Sequence, residues 1–189
     1  MNTVRSIRGL ALTGVAALGL IAMTPALAES DFVTGGGALS ANADLDFEVI
    51  IPRFISFRVG STGGTEDLVQ FNVAAADVGV SGPVSRSNAS GAPINVALRS
   101  NVGNVNLSAA GSGAGLVSGG NTIAWSQING TSDNAANLPV PAIGAAATPL
   151  TATNGVINES ANWTFTYANS ALVSAGTYTG TVTYTASAP

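Results

Sequence analysis

The sequence predicts an all-β, antiparallel sandwich, and three observations carry that prediction. Apolar and polar residues alternate with period two in segment after segment. Clusters of Gly, Pro and Asn separate these segments. Beyond the first 28 residues, no window carries a capped apolar pattern of helical period.

Residues 1–28 are expected to be an export signal. Arg5 and Arg8 form a short positive region, Gly9 to Met23 an apolar stretch, and Ala26-Leu27-Ala28 the small-x-small pattern that signal peptidase reads. The apolar run is shorter than the ~20 residues that span a bilayer. The mature protein is therefore expected to start near Glu29 and to have no membrane span. Residues 29–43 read as an N-terminal leader and 44–189 as one sandwich domain.

Alternation starts at Leu39 and runs through Ala41, Ala43, Leu45, Phe47, Val49 and Ile51, with Asp44, Asp46 and Glu48 on the opposite parity. Beyond Pro52, which marks an edge or bulge, the same parity continues at Ile55, Phe57 and Val59. Val69–Val73, Ile94–Arg99 and Asn104–Ala109 alternate in the same way. Ile123 and Trp125 form a short strand, and Trp163, Phe165 and Tyr167 another. The most regular run is the last, where Tyr178, Gly180, Val182, Tyr184 and Ala186 alternate with Thr. About seven strands in a chain of this size indicate an immunoglobulin-like arrangement of two sheets. Two stretches, 108–121 and 129–150, read as long loops without strands, and Trp125 and Trp163 as core residues.

Composition narrows the function. The formal charge is -4, from six Arg and ten acids; without Arg5 and Arg8 it becomes -6. Lys and His are absent, and an acidic surface of low charge density disfavours nucleic acid and anionic lipid. With no His and no Cys, the usual general base, thiolate nucleophile and soft metal ligands are missing. No Ser lies in a Gly-x-Ser-x-Gly elbow. Asp44, Asp46 and Glu48 share a strand face at a spacing of about 7 Å, too wide for calcium without loop help. The expectation is a protein that is not an enzyme and holds no cofactor or metal. Five Asn-x-Ser/Thr triplets, at Asn88, Asn106, Asn129, Asn158 and Asn162, follow from a chain rich in those residues.

The end of the chain is the sharpest feature. In Ser174-Ala-Gly-Thr-Tyr-Thr-Gly-Thr-Val-Thr-Tyr184, Tyr178 stands two residues after Gly176 and opens an alternating run. A tyrosine at such a corner bonds back to upstream backbone and, in immunoglobulin folds, opens the penultimate strand. With Tyr178 in that role, the sandwich lacks its last edge strand and exposes a groove that another strand must fill.

This ending resembles that of bacterial chaperone–usher pilus subunits, especially the archaic group with spore-coat-U-type domains. The cysteine pair usual in many such pilins is absent here. The resemblance implies an incomplete immunoglobulin-like fold, completed by an N-terminal extension from the next subunit, with a periplasmic chaperone as a further partner. Leu39, Ala41 and Ala43, just after the Gly35-Gly36-Gly37 hinge, are the candidate donor segment, against the alternative of an ordinary first strand. The expected function is an exported structural or adhesive protein of a bacterial surface, periplasm or matrix, with copies of itself as fibre partners. The competing reading is a secreted carbohydrate- or ligand-binding sandwich using the loops at 108–121 and 129–150.

Overall fold

The computed structural model describes residues 31–62, 67–80, 82–87 and 93–189. The expected export signal, Glu66 and the turn residues 63–65 and 88–92 lie outside them. By internal contacts the chain divides into two units, Met1–Ile50 and Ile51–Pro189, so residues 44–50, expected within the sandwich, fall in the first.

In the first unit, residues 31–50 form no strand and are exposed throughout. The strand expected over Leu39–Ile51 is not formed. Its alternating residues stand in water, with Leu45 70%, Phe47 87% and Val49 82% exposed. Alternation makes a segment fit for a half-buried sheet face, but a strand also needs a partner for its backbone N–H and C=O groups. No ladder reaches this segment among the described residues.

The second unit is all-β and antiparallel, with ten strands among the described residues where about seven were expected. They are β1 (Ile55–Val59), β2 (Val84–Ser85), β3 (Ile94–Ser100), β4 (Val105–Gly111), β5 (Gly115–Ser118), β6 (Asn121–Ala124), β7 (Ile128–Ser132), β8 (Thr148–Leu150), β9 (Ile157–Tyr167) and β10 (Val182–Ser187). One sheet has the order β1-β3-β9-β2, with β7 on the other edge of β9. The opposing sheet has the order β10-β4-β8, and β5 and β6 form a separate hairpin.

The core lies between the two larger sheets. The inward residues of β3 (Ile94, Val96, Leu98), β4 (Val105, Leu107, Ala109) and β9 (Ala161, Trp163, Phe165) are all buried. Trp163 is fully buried in the core, as expected. Its Nε1–H donates to the Leu138 carbonyl at 3.2 Å, which satisfies the one polar atom of the ring.

Both stretches expected to be featureless carry strands. The first holds β5, whose Val117 exchanges backbone bonds of 2.8 and 3.0 Å with Thr179. The second holds β7, β8 and the fully buried Leu138. Pro149 sits in β8 at an edge of its sheet, where a missing N–H costs no ladder bond. Val69, Phe71 and Val73 alternate in burial as expected but form no ladder; Gln70 and Asn72 instead bond to Ser87.

Trp125 differs from expectation. It begins a short 3-10 turn instead of ending a strand, and it is half-buried outside the main core. Its ring lies on Gly111 and Gly180, where any Cβ would collide with it, and its Nε1–H donates to the Ser112 carbonyl. The indole fastens the β5–β6 hairpin to the start of the last strand.

Candidate functional site

The sandwich is closed unevenly. Along β3, β4 and β9 the inward apolar side chains are buried, with Glu159 of β9 half-buried, but along β1 and β10 all the inward side chains are only half-buried. These are Ile55, Phe57 and Val59 on β1, and Val182, Tyr184 and Ala186 on β10. Among the described residues each of these strands pairs on one side only, β1 with β3 and β10 with β4. β1 and β10 approach within 8 Å at Cα without forming a ladder. The result is an apolar margin with a free strand edge on either side.

A free edge presents unpaired backbone donors and acceptors to any incoming chain, and alternating apolar side chains give it a face to cover. Tyr184 sits at the centre, and burial pushes its hydroxyl up to about 12. Charge is absent from β4, β5, β6, β8 and β10.

The entry to β10 is fixed by local bonds. Tyr178 Oη donates to the Ser174 carbonyl at 2.9 Å, which ties the residue to the backbone four positions upstream. Thr181 N–H donates to Ser112 Oγ at 3.0 Å, and Ser112 N–H returns a bond of 2.8 Å to the Thr181 carbonyl. These bonds join the approach to β10 to the end of β4.

The entry to β1 is fixed as well, by Asn101, which the sequence did not single out. Phe54 N–H donates to Asn101 Oδ1, and Asn101 Nδ2–H donates to the Pro52 carbonyl, both at 2.8 Å. Asn101 N–H reaches the Phe54 carbonyl at 3.3 Å, continuing the β1–β3 ladder one pair beyond Ile55 and Ser100. Residues 51–54 contain neither turn nor bend.

Leu39, Ala41 and Ala43 lie in the first unit, exposed and without strand structure, as do Asp44, Asp46 and Glu48. Elsewhere on the sandwich Asp133 and Asn162 bond to each other. Asn162 donates from its backbone and side chain to Asp133, both at 2.8 Å, and these bonds hold the Asp133 carboxyl below its usual range. Among the described residues, no three His, Cys, Asp or Glu side chains gather as metal ligands, and no helix is long and apolar enough to cross a membrane. No family model and no curated protein matches the chain.

Proposed function

We propose that this chain is an exported structural or adhesive subunit of a bacterial surface or matrix, assembling by strand complementation at the β1–β10 margin. The observation that carries this reading is the half-buried apolar row on β1 and β10, beside two edges that pair on one side only. A leader rich in exposed apolar residues supports it, because such a segment is costly in water unless something covers it. The resemblance of the Ala175–Tyr184 ending to archaic pilus subunits points the same way, and on this reading a periplasmic chaperone shields the margin before assembly.

The test is electrophoresis of the native surface fraction, loaded in detergent with and without boiling. Strand-exchanged copies should run as a ladder that collapses to one band on boiling, and filaments should be visible by electron microscopy. A single monomer band in both lanes overturns the reading.

A further inference from the structure

We infer that the pocket formed by β8, the start of β9 and the turn after β7 is a binding site for a small organic ammonium ion, held by Glu159. The site is independent of strand exchange, since β8 lies at the opposite edge of its sheet from β10.

Glu159 interrupts the inward row of β9. Ile157, Ala161, Trp163, Phe165 and Tyr167 share its parity and are buried, while Glu159 is half-buried among them. Turning a carboxylate inward is costly unless a counter-charge or hydrogen bonds meet it. Here one bond does so, from Asn134 Nδ2–H to Oε2 at 2.9 Å. Oε1 has no hydrogen bond and no ion pair among the described residues, and it is not sealed from solvent. Arg99 pairs with Asn158, one position away, and is exposed on the outer face of the sheet.

Asn134 fixes the carboxylate in place. Its Nδ2 also donates to the Ser160 carbonyl at 3.1 Å, and its Oδ1 accepts from Asn137 Nδ2–H at 3.2 Å. Asn137 Oδ1 accepts no bond among the described residues, so it remains available beside Glu159. Both residues line a cavity of about 370 Å³, within the roughly 300–1,000 Å³ of small-molecule sites.

The available groups are acceptors and one of them is charged, so the pocket selects a donor that carries positive charge. The hydroxyls of Thr151 and Thr153 add acceptors, and Pro149, Leu150 and Val156 offer apolar surface to a short aliphatic stem. Calcium fits poorly, because it takes six to eight oxygens and no three acidic side chains gather among the described residues. The net charge of -4 favours the approach of a cation.

The experiment titrates the full chain with butylammonium chloride and follows side-chain amide resonances by NMR. Saturable shifts should appear at the Asn134 and Asn137 amides. Glu159→Gln, which still accepts from Asn134, should raise Kd at least about tenfold and leave the unfolding midpoint unchanged or higher. Glu48→Gln removes the same charge from the exposed leader and should leave Kd unchanged. Val156 is 48% exposed where it lines the pocket, and Val156→Trp should fill the space and weaken binding by a similar factor. Butanol, with the same stem and no charge, should bind at least about tenfold more weakly. Shifts that rise without saturating, a Kd raised equally by Glu48→Gln or a Kd untouched by Val156→Trp overturn the site. Equal affinity for butanol overturns recognition by charge. Tighter binding of calcium chloride at the same amides overturns the organic cation as ligand. A lower unfolding midpoint with unchanged Kd in Glu159→Gln makes Glu159 a structural residue and overturns its role in binding.

Discussion

The rings of Trp163 and Tyr184 meet across the two sheets, their centroids 5.1 Å apart and their planes at 60°. Trp163 is fully buried on β9, and Tyr184 is the central inward residue of the half-open β10. The contact therefore ties the closed part of the sandwich to its open margin. Trp163→Ala should cost about 3–5 kcal/mol, as truncation of a fully buried aromatic does. Trp163→Phe should cost far less, about 1 kcal/mol. It keeps a ring against Tyr184, and the Leu138 carbonyl retains its second donor, Ser132 Oγ at 2.8 Å. Denaturant midpoints of the three proteins check the order.

Tyr184 also gives the fold an alkaline limit. Burial raises its hydroxyl to about 12, against an ordinary value of 10.0. Between those values the unfolded chain loses this proton while the folded chain keeps it, so stability falls as pH rises. The contribution is intact below pH 10 and declines through pH 12, by about 2–3 kcal/mol in all. Tyr184→Phe should remove this share of the decline. Urea midpoints from pH 8 to 12 measure it, and an unchanged slope in the variant would refute the assignment to this residue.

Asn169 holds a loop from within. It is 1% exposed and sits at φ 50°, a left-handed conformation that Asn tolerates better than most residues. Its Oδ1 accepts from Gly79 N–H at 2.9 Å and its Nδ2–H donates to the Asp77 carbonyl at 2.7 Å. Asn169→Ala loses both bonds and keeps the strained backbone, and should cost about 2–3 kcal/mol. Asn169→Asp keeps the acceptor but turns an oxygen toward the Asp77 carbonyl, so it should cost nearly as much at neutral pH. Thermal unfolding, with hydrogen exchange at Gly79, tests both.

The long alternating strands were legible in the sequence because alternation and burial coincide there. Ile94–Ser100, Val105–Gly111 and the end of β9 place every expected inward residue in the core. β5, β7 and β8 were not legible. They are short, contain Gly115, Gly130 or Pro149, and owe their strand form to neighbours such as Thr179, Phe165 and Leu107. Gly130 shows why: its missing Cβ makes room for Val140 and Phe165, a tertiary demand that no local pattern encodes. The leader misled in the opposite direction, since it has the pattern of a strand and no partner. Of the margin, the entry at Tyr178 was visible in the sequence. The half-burial of β1 and β10 was not, because strands that close a core and strands that leave it open share the same alternation.

The clamp at Asn101 sets where the sandwich ends and the leader begins, and proteolysis can read it. Arg53 lies between Pro52 and Phe54, the two residues that Asn101 holds, and its own side chain is exposed. Cleavage requires a stretch of backbone to leave its hydrogen bonds and enter the protease, so the rate reports local opening. In the unsubstituted chain the two side-chain bonds and the Asn101–Phe54 backbone bond should keep trypsin slow at Arg53. Asn101→Ala removes the first two and leaves the β1–β3 ladder from Ile55 onward in place. Each exposed bond is worth about 0.5–1.5 kcal/mol, so cutting after Arg53 should accelerate about tenfold, while the global unfolding midpoint moves little. Arg58 and Arg99 pair with their partners within that ladder and serve as internal controls, because their cleavage should not change. Equal acceleration at all three sites would mean that Asn101 supports the whole edge of the sheet and not the root of the leader alone.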